Sequence, residues 1–101
     1  MISHTVLIRS DEKIEPVIEE LKAFCVKFDG VVSFNWGKNV SIEPHVAHGF
    51  DHAFVVNFTN ETSRDRYVAD PEHKAIGSKL VSHCPNGLQD IVVFDLAIED
   101  K

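Results

Sequence analysis

A chain of 101 residues with a net charge of −6 and 44% hydrophobic residues suits one domain, 1–101, and is too rich in apolar side chains to stay disordered. The acidic balance argues against a nucleic-acid binder, which would need a basic face, and no apolar run approaches the roughly 20 residues that span a bilayer. Met1-Ile2-Ser3-His4 lacks the basic and apolar regions of a signal peptide, and Cys25 and Cys84 are the only cysteines, so a cytoplasmic protein with two reduced thiols is expected.

The first strand is expected over about residues 2–9. Alternation puts Ile2, His4, Val6 and Ile8 on one face and Ser3, Thr5, Leu7 and Arg9 on the other. A helix follows. Pro16 suits its first turn, where the missing N–H costs nothing. Val17, Ile18, Leu21, Phe24, Cys25 and Phe28 recur at three- and four-residue spacing and form an apolar stripe. Glu12, Glu15, Glu19 and Glu20 read as its wet face, and Asp29-Gly30 as its end, with Gly30 in a left-handed cap. Val31 to Val40 reads as a second strand, with Val32, Phe34 and Trp36 alternating against Ser33 and Asn35. Residues 41–50 form a loop around Pro44 and Gly49. Ala53 to Phe58 is a third strand, with Phe54, Val56 and Phe58 on one face. Thr59-Asn60-Glu61-Thr62 supplies capping side chains for a second helical stretch. Pro71 breaks that stretch by pushing Asp70 out of helical angles, and a further helix runs from near Glu72 to about Val81. Pro85-Asn86-Gly87 is a turn. Ile91 to Ile98 is the last strand, apolar at nearly every position except Asp95.

The order β-α-β-β-α-β predicts an α+β, ferredoxin-like protomer: a four-stranded, mainly antiparallel sheet with helices on one face. The helix-free face then meets water. The last strand is apolar on both faces, and the third carries Ala53 and Val55 opposite its phenylalanines, as in strands buried on both sides. A second copy of the chain is the simplest cover, because a small domain gains from association and two-fold dimers are the commonest oligomers. Face-to-face sheets would give a barrel-like dimer core.

His4, Tyr67 and His73 are the candidate catalytic residues, since two imidazoles and a phenol can move protons near neutral pH. Two readings of the histidines stay open. They are buried side chains hydrogen-bonded to neighbours, or bases kept neutral in a dry cavity and able to take a proton alpha to a carbonyl. Tyr67 is either a core residue of an amphipathic helix or a donor to a developing oxyanion. His45, His48 and His52 are spaced His-x-x-His-x-x-x-His, but Pro44 and Gly49 make the stretch a loop and His52 begins a strand, so they read as a solvated segment near the pocket mouth rather than as metal ligands. Adjacent His83 and Cys84 make a poor nucleophile–base pair. There is no phosphate-binding glycine loop, Gly-x-Ser-x-Gly or dinucleotide fingerprint, so no cofactor is implied.

Several segments together resemble the stress-responsive dimeric α+β barrel domain family. They are His4-Thr5-Val6-Leu7, Asp29-Gly30-Val31-Val32-Ser33-Phe34, Gly49-Phe50-Asp51-His52-Ala53-Phe54-Val55-Val56-Asn57-Phe58, Tyr67-Val68-Ala69-Asp70-Pro71-Glu72-His73 and Asp90-Ile91-Val92-Val93-Phe94-Asp95. The set is specific where no single member is. The resemblance implies a homodimer whose two sheets close a barrel. One branch, the plant olivetolic acid cyclase, closes a linear polyketide by aldol condensation, and its catalytic His, Tyr and His look like His4, Tyr67 and His73. Its Trp-Gly-Lys segment has a counterpart in Trp36-Gly37-Lys38. Where the family usually carries a second His before the late Pro, this chain has Asp70, a carboxylate expected near the site. Some members hold a cation on main-chain carbonyls after the first helix, which maps onto Cys25, Phe28 and Val31. The functions implied are binding of a small apolar or aromatic molecule with cyclase- or lyase-like proton abstraction or, alternatively, a stress-response oligomer with no chemistry in its pocket.

Overall fold

The computed structural model describes residues 1–99. Strands β1 (Ile2–Ile8), β2 (Val31–Lys38), β3 (His52–Phe58) and β4 (Ile91–Ala97) form one sheet in the order β2-β3-β1-β4. Every neighbouring pair is antiparallel. Helices α1 (Glu15–Cys25), α2 (Glu61–Ala69) and α3 (Pro71–Ser82) supply the core residues that meet the sheet: Val17, Ile18 and Leu21 from α1, Tyr67 from α2, and Ile76 and Leu80 from α3. This is the ferredoxin-like arrangement, with β1 at the centre receiving the core faces of both neighbours.

The alternation in β1 and β3 is realised. Ile2, His4, Val6 and Ile8 are buried, as are His52, Phe54, Val56 and Phe58. β2 departs from it. Its register with β3 shifts between Val31 and Ser33, so Val31 pairs opposite Phe58 and Phe34 opposite Val56. Val32, expected beside Phe34 and Trp36, is 58% exposed. An extra residue in one strand of an antiparallel pair flips the facing of what precedes it, and alternation alone does not report such a bulge.

The first helix also differs at both ends. A 3-10 turn over Glu12–Ile14, capped by the Asp11 side chain, precedes it and buries Ile14 fully. α1 stops at Cys25, and the chain tightens through Lys27 N–H to the Phe24 carbonyl (3.2 Å) and Phe28 N–H to the Cys25 carbonyl (3.0 Å). Phe28 thus reaches the core from a turn, not a helix. Gly30 has φ +94°, and a Cβ there would lie 2.2 Å from Ser63 Oγ. Both the left-handed backbone and the closeness of α2 demand glycine at this point. Glu15 leaves the wet face: it pairs with Lys38 at 3.3 Å and with His52 at 3.4 Å.

Asn60, not Thr59, caps α2 by accepting the Ser63 N–H at 2.9 Å. Asp70 has extended angles (φ −66°, ψ 130°), ends α2 and caps α3, with Pro71 opening the new helix. On the helix-free face, β4 presents Val92, Phe94 and Leu96 at 40%, 62% and 51% exposure. The β2 end of that face is polar, where Asn57 donates to Ser33 Oγ at 2.9 Å. The exposed apolar surface is therefore concentrated on the β4 side of the sheet.

Candidate functional site

His4 reaches the helix side because β1 alternates, and the register sets it opposite Asp95 of β4. Their side chains meet, His4 Nδ1 to Asp95 Oδ1 at 2.6 Å. Arg64 of α2 donates through Nη1 to the other carboxylate oxygen, Asp95 Oδ2, also at 2.6 Å, and through Nε to Asp65 at 2.9 Å. An ionised carboxylate only accepts, so the His4 hydrogen sits on Nδ1 and Nε2 is the free nitrogen. Sequence reasoning missed this clamp. Its one signal was Asp95 itself, the lone acid in an otherwise apolar strand; Arg64 gave none.

The break at Asp70-Pro71 places His73. Asp70 Oδ1 accepts the N–H groups of Glu72 (2.8 Å) and His73 (3.3 Å), which fixes His73 in the first turn of α3. Its carboxylate is engaged as a cap, so the acid expected near the site acts on the backbone and on the local field. The three predicted residues come together. Tyr67 lies between the histidines, with ring centroids 5.8 Å from His4 and 4.1 Å from His73. Burial first, and then neighbouring His4, hold the His73 imidazole below its ordinary range, which keeps it unprotonated at pH 7 and so free to accept a proton, although as a weaker base than an exposed histidine.

The Tyr67 side chain is fully buried. Phe58, Phe28 and Phe24 surround its ring at 5.0, 5.8 and 6.1 Å. Its hydroxyl neighbours the Cys25 thiol and makes no well-formed hydrogen bond. Burial drives the phenol far up, so Tyr67 is a donor and never a phenolate. The Cys25 thiol is pushed up to about 12 by burial, which leaves it unreactive.

Between α2–α3 and the β4 side of the sheet lies an open cavity of about 1190 Å³. His4, His73, Arg64 and Asp95 stand on its wall with Val6 and Phe54, whereas Tyr67 lies behind that wall. Phe24 and Phe28 pack around Tyr67 and leave the cavity open.

The other predicted positions lie elsewhere. His45 and His48 are exposed in the loop, and buried His52 faces Asp51, Ser10 and Glu15. Among the described residues, no three metal-binding side chains gather. His83 contacts Asp11 at 2.9 Å, while Cys84 donates to the Leu80 carbonyl at 3.6 Å, so the two form no pair. In the turn after α1, the carbonyls of Cys25 and Phe28 accept the N–H groups of Phe28 and Val31.

Residues 2–98 match the profile of the stress responsive A/B barrel domain. The chain belongs to that family. It is 32% identical over 72 residues to the stress-response A/B barrel domain-containing protein At5g22580 of Arabidopsis thaliana, a match covering 69% of this chain and 62% of that relative. Among solved structures, a dimeric ferredoxin-like protein of unknown function from Jannaschia sp. CCS1 is 27% identical with a TM-score of 0.84, over 96% of this chain and 98% of that one. A hydroxynitrile lyase from Passiflora edulis shares the fold at 18% identity and a TM-score of 0.80, over 99% and 94% of the two chains. Among the described residues, no helix is long and apolar enough to cross a membrane.

Proposed function

We propose that this stress responsive A/B barrel protein is a cytoplasmic homodimer that binds a small apolar or aromatic molecule in its helix-side cavity and acts on it by acid–base catalysis. The observation that carries the reading is the cavity itself, open and walled by both histidines. A pocket packed shut would have favoured a purely structural protein.

His73, neutral and desolvated, takes a proton from a carbon alpha to a carbonyl. His4, fixed by Asp95 and Arg64, orients the substrate through its free Nε2. The buried Tyr67 hydroxyl donates to the oxyanion of the enolate. The enolate carbon then bonds to a second carbonyl carbon of the same substrate, and the alkoxide so formed takes the proton back from the His73 imidazolium. The role of Tyr67 carries a condition: the substrate oxygen must reach a hydroxyl that lies against Cys25, behind the cavity wall.

The dimer accounts for the other face. Val92, Phe94 and Leu96 are too exposed and too apolar to suit a lone protomer, and the relative from Jannaschia is described as dimeric. Two buried, unpaired thiols suit a reducing compartment.

The test is turnover of linear poly-β-ketones and of cyanohydrins by wild type and His73→Ala. A loss of about 10²-fold or more in His73→Ala is expected, the usual share of a positioned base. Equal turnover by both proteins ends the catalytic reading and leaves the stress-response oligomer. A monomer in sedimentation at micromolar concentration removes the dimer.

A further inference from the structure

Gly77 sits in the interior of α3 and on the cavity wall, one helical turn after His73. Positions four apart share a helix face, so Gly77 borders the same stretch of cavity as the His73 ring. Glycine is a poor choice inside a helix, because it gives up the most backbone freedom and exposes the main chain.

The usual reasons for a glycine fail here. Among the described glycines, Gly30, Gly49 and Gly87 have positive φ, and Gly77 does not. A Cβ at Gly30 would strike Ser63, whereas a Cβ at Gly77 would meet nothing within 4 Å. Neither backbone conformation nor a packed neighbour calls for the missing side chain. What lies over Gly77 is the empty volume beside His73.

We infer that Gly77 is a specificity-determining residue whose missing side chain admits a ring-sized group next to His73, and that the part of the ligand held there is a ring, or the folded segment of a chain that closes into one, rather than an extended alkyl segment. This inference rests on the ligand-binding reading above. Beyond Gly77 the wall continues through Leu80, Val81 and Ile91, all apolar, and a narrow alkyl segment fits there without the space that Gly77 leaves. Arg64 on this wall is paired with Asp95 and Asp65, which also line it, so it is Lys74 that can meet an anionic substituent on the ring.

The test uses two fluorescent probes on the full chain. 1-Anilinonaphthalene-8-sulfonate is broad and anionic; cis-parinaric acid is thin and linear. Wild type, Gly77→Ala and Gly77→Leu are titrated with each, and thermal melts check that the variants fold. Both substitutions suit a helix better than glycine, so midpoints at or above wild type are expected. The naphthalene probe should weaken about threefold in Gly77→Ala and at least tenfold in Gly77→Leu, with parinaric acid changed less than twofold. Unchanged affinity of the naphthalene probe in Gly77→Leu overturns the inference and leaves the ligand-binding reading standing. Equal loss of both probes overturns the ring selectivity. No binding of either probe to wild type removes the ligand-binding reading, and this inference with it.

Discussion

The helix side of the sheet has two halves that are built differently. Over β3 it is filled: Phe58, Val56 and Tyr67 are fully buried, α1 adds Ile18, Cys25 and the partly buried Phe24, and the turn after α1 adds the partly buried Phe28. Over β4 it is hollow, and Val93 on the same face of the sheet is 57% exposed beside the open cavity. The aromatic cluster holds the protomer together, so the neighbouring half can tolerate a void that would otherwise be a liability. The candidate residues sit along the seam. Tyr67 belongs to the filled half, His4 and His73 border the hollow one, and the Asp95–Arg64 clamp ties β4 to α2 across the gap.

The largest effect that separates the halves is truncation of an apolar side chain. Phe58→Ala should destabilise by roughly 3–5 kcal/mol, because the cavity it leaves is enclosed by Tyr67 and its neighbours. Val93→Ala should stay within about 0.5 kcal/mol, since its side chain already faces open space. Urea midpoints of the two variants measure the contrast. Similar losses at both positions would mean that the hollow half closes in solution.

A second contrast uses one substitution with opposite signs. Gly30→Ala forces a Cβ into Ser63 at a positive φ and should cost roughly 2–3 kcal/mol. Gly77→Ala adds a methyl to empty space within a helix and should stabilise by about 0.5–1 kcal/mol. Thermal melts of the two variants should bracket wild type. A destabilised Gly77→Ala would show that something fills the space beside His73 even in the free protein.

Much of this division was legible in the sequence. Alternation placed His4 on the covered face, and the Asp70-Pro71 break separated the helix of Tyr67 from that of His73. The stripe Val17 to Phe28 named the side of α1 that packs. What stayed hidden depends on distance or on register. Arg64 and Asp95 are 31 residues apart, and His4 and Asp95 are 91 apart, so only the assembled sheet brings them together. The bulge at Val32 leaves the hydrophobic pattern looking intact while turning a valine outward. The cavity is an absence of atoms, set by how far α2 and α3 stand from β4, and apolar residues that line a void read the same as residues that fill a core.

A third and smaller effect lies in the pH dependence of stability. The folded imidazole of His73 sits below its ordinary range because of burial and His4, so the unfolded chain binds this proton more readily. Stability should therefore fall as pH drops below about 6.5, the unfolded value, and the drop should complete as pH passes the lower folded value. Glu15 and Asp90 are held below the usual carboxylate range, Glu15 by His52 and Lys38 and Asp90 chiefly by the Asn86 backbone. Their contribution is lost only at more acidic pH, so the two windows separate. His73→Gln should flatten the urea midpoint between pH 7.5 and 5 and leave the acid limb unchanged. An identical slope in that variant would place the titrating group elsewhere.

The smallest expected change in stability tests Tyr67 where the halves meet. Its ring packs against Phe58, Phe28 and Phe24, but its hydroxyl is buried without a well-formed hydrogen bond. Tyr67→Phe keeps the ring and removes a polar atom that gains little from the fold, so the midpoint should move by no more than about 0.5 kcal/mol, towards greater stability. A hydroxyl that donates to an oxyanion behaves otherwise when it is removed: turnover should fall by 10²-fold or so with binding little altered. A variant that is stable and binds its probe yet turns over poorly would place Tyr67 in the chemistry, and full turnover would confine it to the aromatic core. A clear loss of stability would instead reveal a partner for the hydroxyl, with the Cys25 thiol beside it the group to examine by Cys25→Ala.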